Sequence, residues 1–226
     1  MKNAEFNEYK NRYRNTIRKV LAEAEKGRLD EAAFPAYSHR NPLINWLFWQ
    51  RLRKVMEHVQ SPTQYERVLD FGCGSGVMLP FLSRISAQVT ALDIDMLPLE
   101  FVQKHITLAS NIEVNDATKT AITDLPANSY DLIIALDVLE HVHDLPRTLR
   151  ELLVLLKPNG QLIVSGPTEN ILYQIGRKVA GPEYSGAYHE RGIAEIKDEL
   201  LKTTKIQSIA TLYWPFPLFE IFSAKK

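Results

Sequence analysis

The chain has one cysteine, Cys73, in 226 residues, which excludes an internal disulfide framework and a cysteine-based zinc site and suits a reducing compartment. It has no excess charge of either sign: 27 basic side chains stand against 27 acidic ones, so no overall field draws it to a phosphate backbone or an anionic bilayer. No run reaches the roughly 18 apolar residues of a membrane span. Met1-Lys2-Asn3-Ala4-Glu5 lacks the apolar segment and cleavage site of a secretory leader. These absences point to the cytoplasm and to a small-molecule substrate rather than a nucleic acid, with peripheral membrane contact left open if that substrate is lipid-like. No internal repeat and no linker interrupt the chain. Residues 1–226 therefore read as one domain, with 1–60 a helical cover and 61–226 the core.

Glycine is also scarce, yet three of the 10 stand together in Gly72-Cys73-Gly74-Ser75-Gly76, directly after the strand-like Arg67-Val68-Leu69-Asp70-Phe71. Two common phosphate loops are missing. A dinucleotide loop would need glycine at Val77, and a Walker loop would need Gly-Lys-Ser/Thr. What is present is a strand running into a loop whose backbone can turn tightly and approach a ligand. A helix expected from about Gly76 would aim its free N–H groups at the same space.

Before this loop, Phe6, Tyr9, Tyr13, Ile17, Val20, Leu21 and Ala24 recur at helical spacing over residues 4–26. A second helix is expected from Pro42 to about Val59, burying Ile44, Leu47, Phe48, Leu52, Val55 and Val59, with Trp49 at the boundary of that stripe and Trp46 on the polar side. Beyond the loop, strand and helix alternate as a parallel doubly wound sheet requires. Strands are expected at 88–93, 111–115, 130–136 and 161–165, the last after a turn at Lys157-Pro158-Asn159-Gly160. Leu149, Leu152, Leu153 and Leu156 form a helical stripe capped by Asp144. A helix at 193–201 and strands at 205–214 and 218–223 close the pattern. Asp70, Asp93, Asp116 and Asp137 each fall at the end of an apolar run, on the edge where open α/β sheets bind ligands.

The spacing Asp70-x-Gly72-x-Gly74-x-Gly76 resembles the first motif of class I S-adenosylmethionine (SAM) dependent methyltransferases. The resemblance implies an α/β fold, a Rossmann-like seven-stranded and mostly parallel sheet in the order 3-2-1-4-5-7-6, with strand 7 antiparallel and an N-terminal helical cover. It also implies SAM as the cofactor, with the loop and Asp70 on its methionine half beside the backbone around Leu136. Asp93, followed by Ile94, resembles the ribose-binding acid of that family, since a carboxylate can accept from both hydroxyls. Asp116 with Ala117 resembles the position that reads adenine.

His39-Arg40-Asn41-Pro42-Leu43, the glycine loop, Asp137-Val138-Leu139-Glu140-His141-Val142 and Leu156-Lys157-Pro158-Asn159-Gly160 together are similar to the ubiquinone-biosynthesis O-methyltransferases. That likeness spans about residues 39 to 200 and fixes the class better than the substrate. It gives Arg40 the task of clamping the SAM carboxylate. It implies methyl transfer to a small molecule, at a hydroxyl oxygen. In this subgroup Asp137, Glu140, His141 and the distant His189 resemble a site for a divalent cation such as Mg2+. Asp137 stands where glutamate is commoner, and the residues after His189 match loosely. A second reading keeps His189 as a metal-free general base, with Glu140 and His141 as helix-start and cofactor-side contacts. An RNA methyltransferase and a non-catalytic SAM-binding module are the rival functions. Asp137-Val138-Leu139-Glu140 lacks the Asn/Asp-Pro-Pro-Tyr pattern of amino-group nucleic-acid enzymes, and the acid and histidine set that a non-catalytic module could lose is intact.

Overall fold

The computed structural model describes residues 3–24, 29, 37, 42–60, 64–168, 192–213 and 217–226. Among the described residues, helices α1 (Asn3–Glu23) and α2 (Pro42–Val59) precede the sheet. Then come β1 (Tyr65–Phe71), α3 (Leu79–Ile85), β2 (Ser86–Asp93), α4 (Leu97–Gln103) and β3 (Ile112–Asp116). β4 (Tyr130–Leu136), α5 (Leu145–Leu155), β5 (Leu156–Pro167), α6 (Ile193–Leu201), β6 (Lys205–Leu212) and β7 (Phe219–Lys225) complete it. The seven strands lie in the order β3-β2-β1-β4-β5-β7-β6, parallel except for β7, which runs antiparallel to β5 and β6. This is the expected Rossmann-like α/β sheet.

The apolar runs of β1, β4 and β5 are continuous because both faces of the sheet are covered. Alternation along a strand then sorts neighbours to opposite layers. Val68, Leu132, Ile134 and Ile163 join the layer under α1, α2, α3 and α4, whereas Leu69, Ile133, Leu162 and Val164 join that under α5 and α6. Trp49 is fully buried at the centre of the first layer rather than at its boundary. Phe6 and Tyr13 of α1 meet its ring edge-on at 6.1 and 6.3 Å between centres, and Tyr37 does so at 5.5 Å. Its indole N–H donates to the Tyr37 carbonyl at 3.2 Å.

Most boundaries fall within two residues of the spacing argument, and the exceptions have local causes. The turn at 157–160 lies inside β5: Tyr130 pairs with Leu156 and Leu132 with Gln161, so the intervening residues bulge out, with Asn159 at φ +67°. Helix α4 was not expected, since seven residues with Pro98 at the start are too short to show a period. Helix α5 begins as anticipated, with the Asp144 carboxylate accepting from the Arg147 N–H at 3.1 Å. Among the described residues no helix is long and apolar enough to cross a membrane.

Candidate active site at the carboxyl edge of the sheet

The glycine loop joins β1 to α3 through three left-handed residues, Gly72 at φ +73°, Gly74 at +50° and Gly76 at +75°. Gly76 therefore cannot sit in a right-handed helix, and α3 starts at Leu79, three residues later than expected. The loop's donors are also less free than a helix start would leave them. Gly72 N–H and Cys73 N–H reach the Leu92 carbonyl at 2.8 and 3.3 Å, and Gly76 N–H reaches the Cys73 carbonyl at 2.8 Å. Gly74 N–H donates to Asp93 Oδ2 at 2.7 Å. A β-carbon at Gly74 would meet nothing within 4 Å, whereas one at Gly72 would strike Val138 at 2.3 Å. Gly74 thus marks open space at the strand ends, and Gly72 marks tight packing against the segment after β4.

Helix α1 pins this loop from its other side. The Tyr13 hydroxyl donates to the Ser75 carbonyl at 2.5 Å, and the Tyr9 hydroxyl donates to the Val77 carbonyl. Burial raises the pKa of both phenols, which remain donors. Cys73 is buried in the loop and burial pushes its thiol up, which makes it a packing residue as expected.

The four carboxylates end their strands as anticipated but in different states. Asp70, 3% exposed beneath the loop, is pushed up to about 8 by burial and then by neighbouring Asp93. Asp93 accepts Gly74 N–H on one oxygen and Asp95 N–H at 3.0 Å on the other, keeping a lone pair on each for a diol. Ile94, next to it, leaves 77% of its surface exposed. Asp116 is held down to about 2 by Lys119, then by the Thr118 hydroxyl and N–H. Ala117 N–H bonds the Asp93 carbonyl at 2.7 Å, which ties the ends of β2 and β3 together. Leu136, the last residue of β4, packs partly buried against the first apolar layer.

Asp137 lies in the left-handed region at φ +52°. Its N–H reaches the Ser165 carbonyl at 3.0 Å, and the Ser165 hydroxyl donates to its Oδ1 at 3.2 Å. Its Oδ2 pairs with Arg51 Nη1. Burial pushes this carboxyl up, against the pull of Arg51. Glu140 and His141 follow in a 3-10 turn, Leu139–His141, where Glu140 is buried and His141 exposed. Arg40 and His189 lie outside the described residues.

Arg51 is a buried charge at this edge that residue spacing gave no sign of. It lies within α2, 2% exposed, its Nη2 donating to the Tyr37 hydroxyl at 3.3 Å and its guanidinium carbon 5.1 Å from the ring centres of both Phe48 and Phe219. Burial works against its charge, but Asp137 and Tyr37 outweigh it and hold its pKa above the ordinary value. The structure thus brings Asp137, Glu140 and Arg51 together. Among the described residues no group of three histidine, cysteine or acidic side chains is placed to hold a metal ion.

These features match known proteins in sequence and in fold. A family model described as "Methyltransferase domain" matches residues 48–217. The ubiquinone biosynthesis O-methyltransferase of Stutzerimonas stutzeri is 30% identical over 143 residues, 62% of this chain and 57% of the relative. That of Xanthomonas oryzae pv. oryzae is 34% identical over 135 residues, 58% of this chain and 55% of the relative. The chain spans a little over half the length of these two curated relatives. Among solved structures, the N-methyltransferase NodS from Bradyrhizobium japonicum, in complex with S-adenosyl-L-homocysteine (SAH), superposes with a TM-score of 0.59 at 16% identity, over 94% of this chain and 97% of NodS. At that identity the likeness speaks for the fold, while the family model spans most of the sequence. The chain belongs to the methyltransferase domain family.

Proposed function

We propose that the chain methylates a hydroxyl oxygen of a small aromatic or lipid-like acceptor held at the carboxyl edge of β4 and β5, where β7 begins. The observation that carries this reading is the aromatic wall above that edge. Trp46, 45% exposed, lies tilted on Tyr213 with 5.6 Å between ring centres, and Phe48 meets Phe219 edge-on at 5.8 Å. Tyr213 sits at φ +72°, a region bulky residues rarely adopt, and its hydroxyl donates to the Leu47 carbonyl at 2.7 Å. Strain of this kind collects at ligand-facing positions. The exposed Trp46 ring, backed by the partly buried Tyr213 and Phe48, suits a flat apolar acceptor. Oxygen as the acceptor atom is supported by the curated relatives, which are ubiquinone biosynthesis O-methyltransferases.

SAM, when bound, supplies an electrophilic methyl group, so the chain's own tasks are alignment and removal of the acceptor proton. Asp93 would hold the ribose hydroxyls through its spare lone pairs, and Gly74 would leave room for the cofactor to approach the loop. Ile94 offers an apolar face for the adenine side, next to Asp116 and Ala117. Arg40 is assigned the cofactor carboxylate. His189 is assigned the acceptor proton, in the version that needs no cation: Arg51 already occupies the carboxylate of Asp137, so the described residues do not fit a Mg2+ ion there. Balanced net charge and an aromatic wall favour a small acceptor over RNA, and the lone thiol suits the cytoplasm.

The test is a methyl-transfer assay with SAM and a panel of quinols, catechols and lipid-like phenols, the product read by mass spectrometry. An O-methylated product is expected. His189→Ala should abolish most turnover while leaving SAH affinity unchanged, and Trp46→Ala should raise KM for the acceptor. Transfer to RNA alone, or SAH binding with no transfer to any hydroxyl, would refute the reading and favour one of the rivals.

A further inference from the structure

We propose that the Arg51 guanidinium is the resident cation of the acceptor site, occupying the place a divalent metal would take beside Asp137 and Glu140. The inference rests on the reading of this edge as the acceptor site. The sequence pattern Asp137, Glu140, His141 and His189 resembles a metal cluster, but the structure supplies a positive charge from α2, an element outside that pattern. Arg51 Nη1 is ion-paired with Asp137, and Glu140, 1% exposed, adds its field to the same guanidinium. Two carboxylates and one guanidinium leave a single net negative charge. A divalent ion would turn that into a net positive charge in a site with little water to screen it.

Nothing about Arg51 allows it to step aside easily. Its ring contacts with Phe48 and Phe219 and its bond to the Tyr37 hydroxyl fix it on three sides. Its guanidinium stays protonated, so no loss of a proton makes way for a metal. One donor stays unused: Arg51 Nε–H is buried and has no hydrogen-bond partner among the described residues. An unsatisfied buried donor is unfavourable, and an acceptor hydroxyl or its anion would satisfy it. Arg51 can therefore do what a metal does in such sites, which is to hold the acceptor oxygen and favour its ionised form. Asp137, kept in its left-handed conformation between Arg51 and Ser165, serves as the anchor for this charge.

The experiment is Mn2+ binding followed by electron paramagnetic resonance, with SAH present and no acceptor, on the full chain and on Arg51→Met, Arg51→Lys and Asp137→Asn. The wild-type protein should leave the free Mn2+ signal undiminished, and Arg51→Lys, which keeps the charge, should do the same. Arg51→Met should take up one Mn2+ at least about a hundredfold more tightly than wild type, the consequence of removing a unit charge about 4 Å away at an intermediate dielectric. Adding Asp137→Asn to Arg51→Met should abolish that uptake. One Mn2+ bound by the wild-type chain and lost in Asp137→Asn would overturn the proposal. So would uptake by Arg51→Lys, which decides the question even if Arg51→Met does not fold. Because no acceptor is used, this result is independent of the hydroxyl assay: a chain that excludes Mn2+ but methylates no hydroxyl sinks the functional reading and not the assignment of the charge.

Discussion

A β-carbon added at Gly72 would lie 2.3 Å from Val138 Cγ2 and 2.6 Å from its Cβ, while one added at Gly74 would touch nothing within 4 Å. Both residues are left-handed, at φ +73° and +50°. Alanine at either position carries the same backbone penalty, about 1–2 kcal/mol. Gly72→Ala adds the overpacking of a β-branched neighbour whose near atoms include its own Cβ, so it cannot be relieved by rotating a flexible chain end. Such overpacking costs about 1–3 kcal/mol more. The two variants should therefore separate. Gly72→Ala should lower Tm well beyond Gly74→Ala, by about 2–4 °C for each extra kcal/mol in a chain of this size. Gly74→Ala should instead weaken SAH binding, because its methyl projects into the space kept open at the strand ends. Differential scanning calorimetry and SAH titration on the same preparations give both numbers. Equal losses of Tm, or a Gly74→Ala protein with unchanged SAH affinity, would refute the division of the loop into a packing glycine and a ligand-facing one.

Other perturbations follow from the same site. Replacing Arg51 with Met leaves Asp137, whose side chain is 21% exposed, without its partner and should cost about 1–3 kcal/mol in urea unfolding, much of it recovered when Asp137→Asn is added; a double variant no better than the single would contradict the pairing. Asp70 titrates at about 8 in the folded chain against an ordinary 3.8, so the folded state keeps a proton that the unfolded chain has lost between those values. Its contribution to stability therefore falls as pH rises through that window, by at most about 1.4 kcal/mol per unit. The stability of Asp70→Asn relative to wild type should climb between pH 5 and 8, about the limits of an accessible unfolding series; a flat difference would remove the claim. Asp144→Ala should lose about 1 kcal/mol through its cap on α5 and leave SAH binding untouched, a control for indirect effects.

The sheet was largely legible because its central strands are unbroken apolar runs, and because glycine and proline sit at their ends. The Asp residues read as strand ends do stand at or beside the ends of β1, β2, β3 and β4. Features made by residues distant in sequence were not legible. Trp49 reads as marginal on its own helix and becomes central only because α1 and Tyr37 close over it. Arg51 sits between Gln50 and Leu52 with no motif around it, and its partner lies after β4. The only signal that could have found it is a charged residue next to the apolar stripe of a helix otherwise rich in aromatics. The late start of α3 was hidden because a glycine's sign of φ is not written in its neighbours.

Where the methyl group goes decides the function. With methyl-labelled SAM and a catechol acceptor, the label should appear on a ring hydroxyl oxygen of the small molecule, and Asp93→Ala should lower its yield through weaker SAM binding. Label found on nitrogen, on carbon or on RNA, or a chain that binds SAM and transfers nothing to any hydroxyl, would contradict it.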